Sequence, residues 1–232
     1  MTTDGPVRAL PPFGIDVDRT GSLGSPATAL ARRLGGRYPI DPFGGDPQLQ
    51  DALAPFADLL VRVTVEHPAR LPARGPALLV ANRGLGLAEP AVLATAVRRA
   101  VGRRLRVIGA PDVPILGDLV RKLGAVMAYP ADLRAVLRAG HMAAVPLGPT
   151  WLRAGAGTPP TGLLMAALGY PVVPVAVRPG GPLGLPLRPW VVRVGRPLAL
   201  RAPRGSADPL AAAELGEAAR DAVQTLLDGA DP

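Results

Sequence analysis

The stretch Leu78-Leu79-Val80-Ala81-Asn82-Arg83-Gly84 runs without interruption through apolar residues and then stops on an amide, a guanidinium and a glycine. A short, non-alternating apolar run of this kind reads as a strand buried on both faces, here Ala77–Ala81, with Gly84-Leu85-Gly86 turning the chain after it. Strand patterns recur at 61–65, 105–108, 125–128, 142–145, 172–177 and 190–194. Helical patterns separate them at 47–60, 90–101, 116–123, 131–139 and 163–168. Alternation of the two periods predicts a single α/β domain: a central, mostly parallel or mixed sheet flanked by helices. The first helix presents Leu49, Leu53, Phe56 and Leu60 at helical spacing. A last helix should open at Asp208, whose carboxylate can cap free N–H groups ahead of Pro209. It sets Leu215, Ala219, Ala222, Val223 and Leu226 on one face and Glu214, Glu217 and Asp221 on another.

Composition narrows the functional classes. The chain has 232 residues, 48% of them apolar and 19% charged, enough for one domain with a core. Residues 1–30 read as a loose N-terminal arm and 31–232 as the domain. Lys122 is the one lysine among 26 basic residues, so the arginine excess partly reflects GC-rich coding. The net charge of +8 still favours an anionic partner such as a phospholipid surface. Arginines scattered in runs of at most two, with little aromatic interleaving, argue against a nucleic-acid groove. The absence of cysteine excludes disulfides, thiol nucleophiles and thiolate metal sites, and two histidines are too few for a His-rich metal site. No signal peptide is visible, and the longest uncharged stretch, 154–177, is broken by four prolines. These features predict a cytoplasmic protein, at most peripheral to the inner face of the membrane.

Together with Arg37-Tyr38-Pro39-Ile40-Asp41-Pro42-Phe43-Gly44-Gly45-Asp46 upstream and Leu123-Gly124-Ala125-Val126 downstream, the opening stretch resembles the glycerophospholipid acyltransferase family in its actinobacterial form. The resemblance covers roughly residues 30–200. It implies the family's glycerolphosphate-acyltransferase-like fold. It also implies a reaction in which a histidine after the second buried strand takes a proton from a glycerol hydroxyl, which then attacks an acyl thioester. An aspartate orients that histidine, and a Phe-Pro-Glu-Gly block receives the acceptor.

By that resemblance, the chemical positions of this chain are changed one by one. Arg83 stands where the histidine belongs, and a guanidinium with a pKa above ~12 takes no proton at neutral pH. Glu89 or Pro90 stands in place of the aspartate. Val145-Pro146-Leu147-Gly148 occupies the Phe-Pro-Glu-Gly place, so Leu147 replaces the glutamate. The connection after Gly148 and the segment after Val177 are both shorter than the family's. Scaffold segments survive, among them Leu71-Pro72-Ala73-Arg74-Gly75 and Tyr170-Pro171-Val172-Val173-Pro174.

The expectation is therefore a catalytically impaired acyltransferase homologue with no catalytic residue, no cofactor and no metal. Asn82, Arg83, Gly84, Glu89 and Gly148 are its candidate binding residues. A lipid or acyl chain, an anionic membrane surface or an intact acyltransferase homologue are its candidate partners. The alternative is an active, divergent acyltransferase built around Arg83 and Glu89, with acyl-CoA or acyl carrier protein as donor. His141 is expected to open a strand and so lie far from that strand's carboxyl end, and His67, before Pro68, to sit in a turn. Trp151 is a candidate lipid-interface anchor, with burial the stronger reading.

Overall fold

A computed structural model of the chain describes residues 40–82, 88–109, 116–147, 159–179, 189–198 and 207–229. The N-terminal arm and Trp151 lie outside them. The described chain forms an α/β domain on one seven-stranded sheet in the order β1-β7-β6-β2-β5-β3-β4. The strands are β1 (Val63–Glu66), β2 (Ala77–Asn82), β3 (Leu105–Ile108), β4 (Ala125–Val126), β5 (Met142–Leu147), β6 (Val172–Pro179) and β7 (Trp190–Val194). From β6 to β4 the strands are mutually parallel, while β7 is antiparallel to β6 and carries β1 parallel to itself. The helices are α1 (Pro47–Leu60), α2 (Glu89–Val101), α3 (Leu116–Lys122), α4 (Pro130–Arg138), α5 (Thr161–Ala167) and α6 (Pro209–Asp228).

The expected elements are present, with shifted ends. Val61, expected to begin a strand, instead ends α1 in extended geometry and is buried, so β1 starts at Val63. The extended segment after Gly124 pairs over Ala125 and Val126 only. β5 runs on to Leu147, and α5 begins at Thr161.

The apolar run of β2 is buried on both faces because β5 and β6 flank it and helices cover each side. Leu78 and Val80 pack with side chains of α4, α5 and α6; Ala77, Leu79 and Ala81 pack with Val92, Leu93, Ala96 and Val97 of α2. The period-two alternation of a strand thus divides one run between two cores.

The last helix starts as its cap predicts. The Asp208 carboxylate accepts from the N–H groups of Leu210 and Ala211 at 3.0 and 3.1 Å. Gly229 ends the helix at φ 91°, a left-handed conformation that glycine adopts without a Cβ clash. Its buried stripe is Ala212, Leu215, Gly216, Ala219, Val223 and Leu226, with Ala222 only half-buried. A Cβ on Gly195 would lie 2.8 Å from Pro174 Cγ and 3.1 Å from Leu226 Cδ1, so the absence of a side chain there lets β7, β6 and α6 meet.

Candidate functional site

In parallel sheets, sites collect where strand carboxyl ends release the chain into loops, and in this sheet that edge carries the ends of β2, β5 and β6. Asn82 is the last residue of β2, in register with Leu147 at the end of β5. Backbone pairing of β2 with β6 ends at Ala81 and Val175, and the Asn82 side chain takes over from there. Its Nδ2 donates to the Val177 carbonyl at 2.9 Å, and its Oδ1 accepts from the Val177 N–H at 2.6 Å. Both ends of the amide are therefore engaged with the neighbouring strand, which makes Asn82 a clamp that holds the edge together.

Leu147 is 1% exposed and belongs to the apolar core beneath α4, α5 and α6. Glu89, 6% exposed, opens α2 after a six-residue connection from β2, and Pro90 follows it in the first turn. A carboxylate there is favoured by the positive end of the helix dipole. Arg83, Gly84 and Gly148 lie outside the described residues, as do the connections after Gly148 and Pro179. Among the described candidates, then, the edge offers a committed amide, a buried carboxylate and an apolar wall.

The two histidines of the chain both lie at the opposite edge. His141 precedes β5, whose six residues carry the chain ~20 Å to Leu147. His67 follows β1, which runs against β2, and so sits beside the amino ends of the parallel strands. It caps a 3₁₀ turn at Pro68–Arg70 with φ 56°. The expected placements of both residues agree with these positions.

At that amino edge the sequence analysis missed a buried cluster. Asp41 Oδ1 accepts from the N–H groups of Phe43 and Gly45, each at 2.9 Å, folding the Asp41–Gly45 turn around itself. Its other oxygen pairs with Arg106 of β3, and the two side chains are 14% and 6% exposed. The guanidinium carbon lies 5.8 Å from the centroid of the Phe43 ring, and the His141 ring meets the same ring edge-on at 5.6 Å. A Cβ on Gly45 would come 2.7 Å from Asp41 Oδ2, so the pair closes only against glycine. The signal available beforehand was the turn-rich Asp41-Pro42-Phe43-Gly44-Gly45-Asp46 with its two carboxylates. Nothing local to it names Arg106, 65 residues away.

Burial lowers the His141 pKa from its ordinary 6.5; the positive charge of Arg106 adds to the shift, and Asp41 opposes it. A depressed histidine pKa means the unfolded chain binds the proton first as pH falls. Its contribution to stability is thus complete above the unfolded value and is lost as pH falls through that value toward the folded one. Urea melts at a series of pH values are expected to show wild type losing stability below about pH 6.5. His141→Gln should lose less over the same window. Parallel pH profiles for the two proteins would refute this assignment.

No family model matches the chain. Its relatives include an uncharacterized protein of Mycobacterium leprae, 36% identical over 127 residues that cover 50% of this chain and 35% of that protein. Uncharacterized proteins of Mycobacterium bovis and Mycobacterium tuberculosis are 34% identical over 127 residues, covering 50% of this chain and 36% of theirs. The matched part spans about a third of the length of these curated relatives.

Proposed function

We propose that this chain is an acyltransferase-type protein that has lost its catalytic base and acts by binding lipid or by partnering an intact acyltransferase. The reading begins from the sequence resemblance to the glycerophospholipid acyltransferases and takes its strongest support from one observation. Both histidines lie at the amino edge of the parallel strands, about a strand length from Asn82 and Leu147. A general base must reach within ~3 Å of the proton it removes. Arg83, which follows Asn82, cannot substitute as a base at neutral pH. The apolar Leu147 and the clamped Asn82 amide add to the same reading, since neither offers a free polar group to an acceptor.

A second reading draws on Glu89, a carboxylate 6% exposed at the start of α2. In a working divergent acyltransferase it would serve beside Arg83.

Assay of the purified protein with acyl-CoA and either glycerol 3-phosphate or lysophosphatidic acid separates the two. Loss of general-base assistance alone typically costs ~10²–10⁴-fold, so transfer is expected to stay at the uncatalysed background. Turnover that disappears in Glu89→Ala would overturn the first reading in favour of the second.

A further inference from the structure

Helix α1 turns most of its apolar side outward. None of its residues is buried, although its apolar periodicity is that of a core-facing helix. Partly exposed polar contacts tether it to the body. Asp51 pairs with Arg104, Asp58 with Arg98 and Arg99, and Gln50 donates to the Lys122 carbonyl. Asp51 and Asp58 are two turns apart and so share one side of the helix. Leu53, Phe56, Leu59 and Leu60 occupy an arc of about 120° on the side facing away from them. Their exposures are 39, 52, 76 and 49%.

The helix begins beside Lys122, near the β4 end of the sheet, and ends at Val61, which leads into β1 at the other end. It therefore crosses the face covered by α2, with its apolar arc outward. Leu119 and Leu123, 50 and 43% exposed, lie on and just after α3, which packs against α1.

Charge divides between the two faces of the sheet. On the surface around α1 stand Arg62, Arg98, Arg99, Arg104, Arg121 and Lys122 against three carboxylates, Asp51, Asp58 and Asp118, the cap Asp46 being fully buried. On the opposite face, α4 and α6 with its cap carry Asp132, Asp208, Glu214, Glu217, Asp221 and Asp228 against Arg134, Arg138 and Arg220. An anionic plane would attract the first face and repel the second.

From these observations we infer that the outward face of α1 docks on an anionic phospholipid bilayer, with Phe56 and Leu59 entering the interface and the flanking cations near the headgroups. The inference takes lipid association from the function proposed above and assigns it a surface. An amphipathic helix lying in the interface plane needs only such an arc and a basic fringe. A stable protein dimer needs ~800 Å² on each partner. A 14-residue helix ~21 Å long and ~10 Å wide offers ~200 Å², and the two leucines beside it leave the total well short.

The test is cosedimentation of the full chain with phosphatidylcholine vesicles and with mixed phosphatidylcholine–phosphatidylglycerol vesicles. Wild type is expected to bind the mixed vesicles, and to release as added salt shortens the Debye length from ~10 Å at 0.1 M to ~3 Å at 1 M. The exposed double substitution Phe56→Asp with Leu59→Asp should reduce binding at least ~10-fold, since it places charge in the apolar interface. Leu210→Asp, an equally exposed change on α6, should leave it unchanged. Circular dichroism and light scattering on the same samples report folding and assembly. Undiminished binding by the folded double variant, equal binding to neutral vesicles, or a dimer dispersed by the double substitution would each overturn the assignment. Acyl transfer measured separately tests the functional reading, so either can fail while the other stands.

Discussion

Asp41→Ala is expected to destabilise the folded chain by about 3–5 kcal/mol, the cost of removing one partner from a buried ion pair. The Arg106 side chain, 6% exposed, would lose its carboxylate. Its Nε and Nη1 already have no hydrogen-bond partner among the described residues, so it has little else to turn to. The Phe43 and Gly45 N–H groups would also lose their acceptor. At ~2–4 °C per kcal/mol for a chain of this size, the melting temperature should fall by roughly 10 °C. Replacing both members, as in Asp41→Ala with Arg106→Leu, should recover much of the loss, because an apolar side chain suits a site lined by Phe43 better than an uncompensated charge. Calorimetry or urea melts decide it. A single-variant loss below about 1 kcal/mol would mean that water relieves Arg106 and that the pair is dispensable.

On the function proposed above, placing a histidine at position 83 is expected to produce no acyl transfer. Arg83→His with Pro90→Asp would supply a titratable base and an orienting carboxylate in name. Position alone limits what they can do: the hydroxyl must sit ~3 Å from the base, and a misplacement of ~1 Å can cost ~10²-fold. Leu147 is committed to the core under α4, α5 and α6, and Asn82 spends both ends of its amide on Val177. A polar acceptor therefore meets an apolar wall and a bridged edge. The double variant should fold as wild type does, judged by circular dichroism and melting, and transfer no acyl group above background. Measurable transfer would show that a substrate site persists at this edge and needs only its base.

Much of the architecture was legible in local sequence because it depends on local periodicity. The uniform apolar run at Ala77–Ala81 identified a strand covered on both faces, and Asp208-Pro209 identified the start of α6 from capping chemistry within one turn. Strand ends were less legible. Val61 reads as part of β1, but the chain is still leaving α1 there, with the Val61 N–H bonded back to the Ala57 carbonyl. The presence of arginine rather than histidine after Asn82 is a matter of residue identity, which is why the expectation of a missing base could be formed from the chain alone.

What the sequence by itself determined was the alternation of helix and strand, the double-sided burial of β2 and the scarcity of titratable bases. Tertiary structure decided everything that joins distant residues. The strand order and the reversed direction of β1 put His67 and His141 at one edge and Asn82 at the other, an outcome no local pattern encodes. The same holds for Asp41 and Arg106, brought together across 65 residues by the placement of β3. Periodicity also showed that α1 has an apolar side without showing where it points. Its placement follows from arginines supplied by α2 and by the approach to β3, which tether Asp51 and Asp58 and leave Phe56 and its neighbours outside.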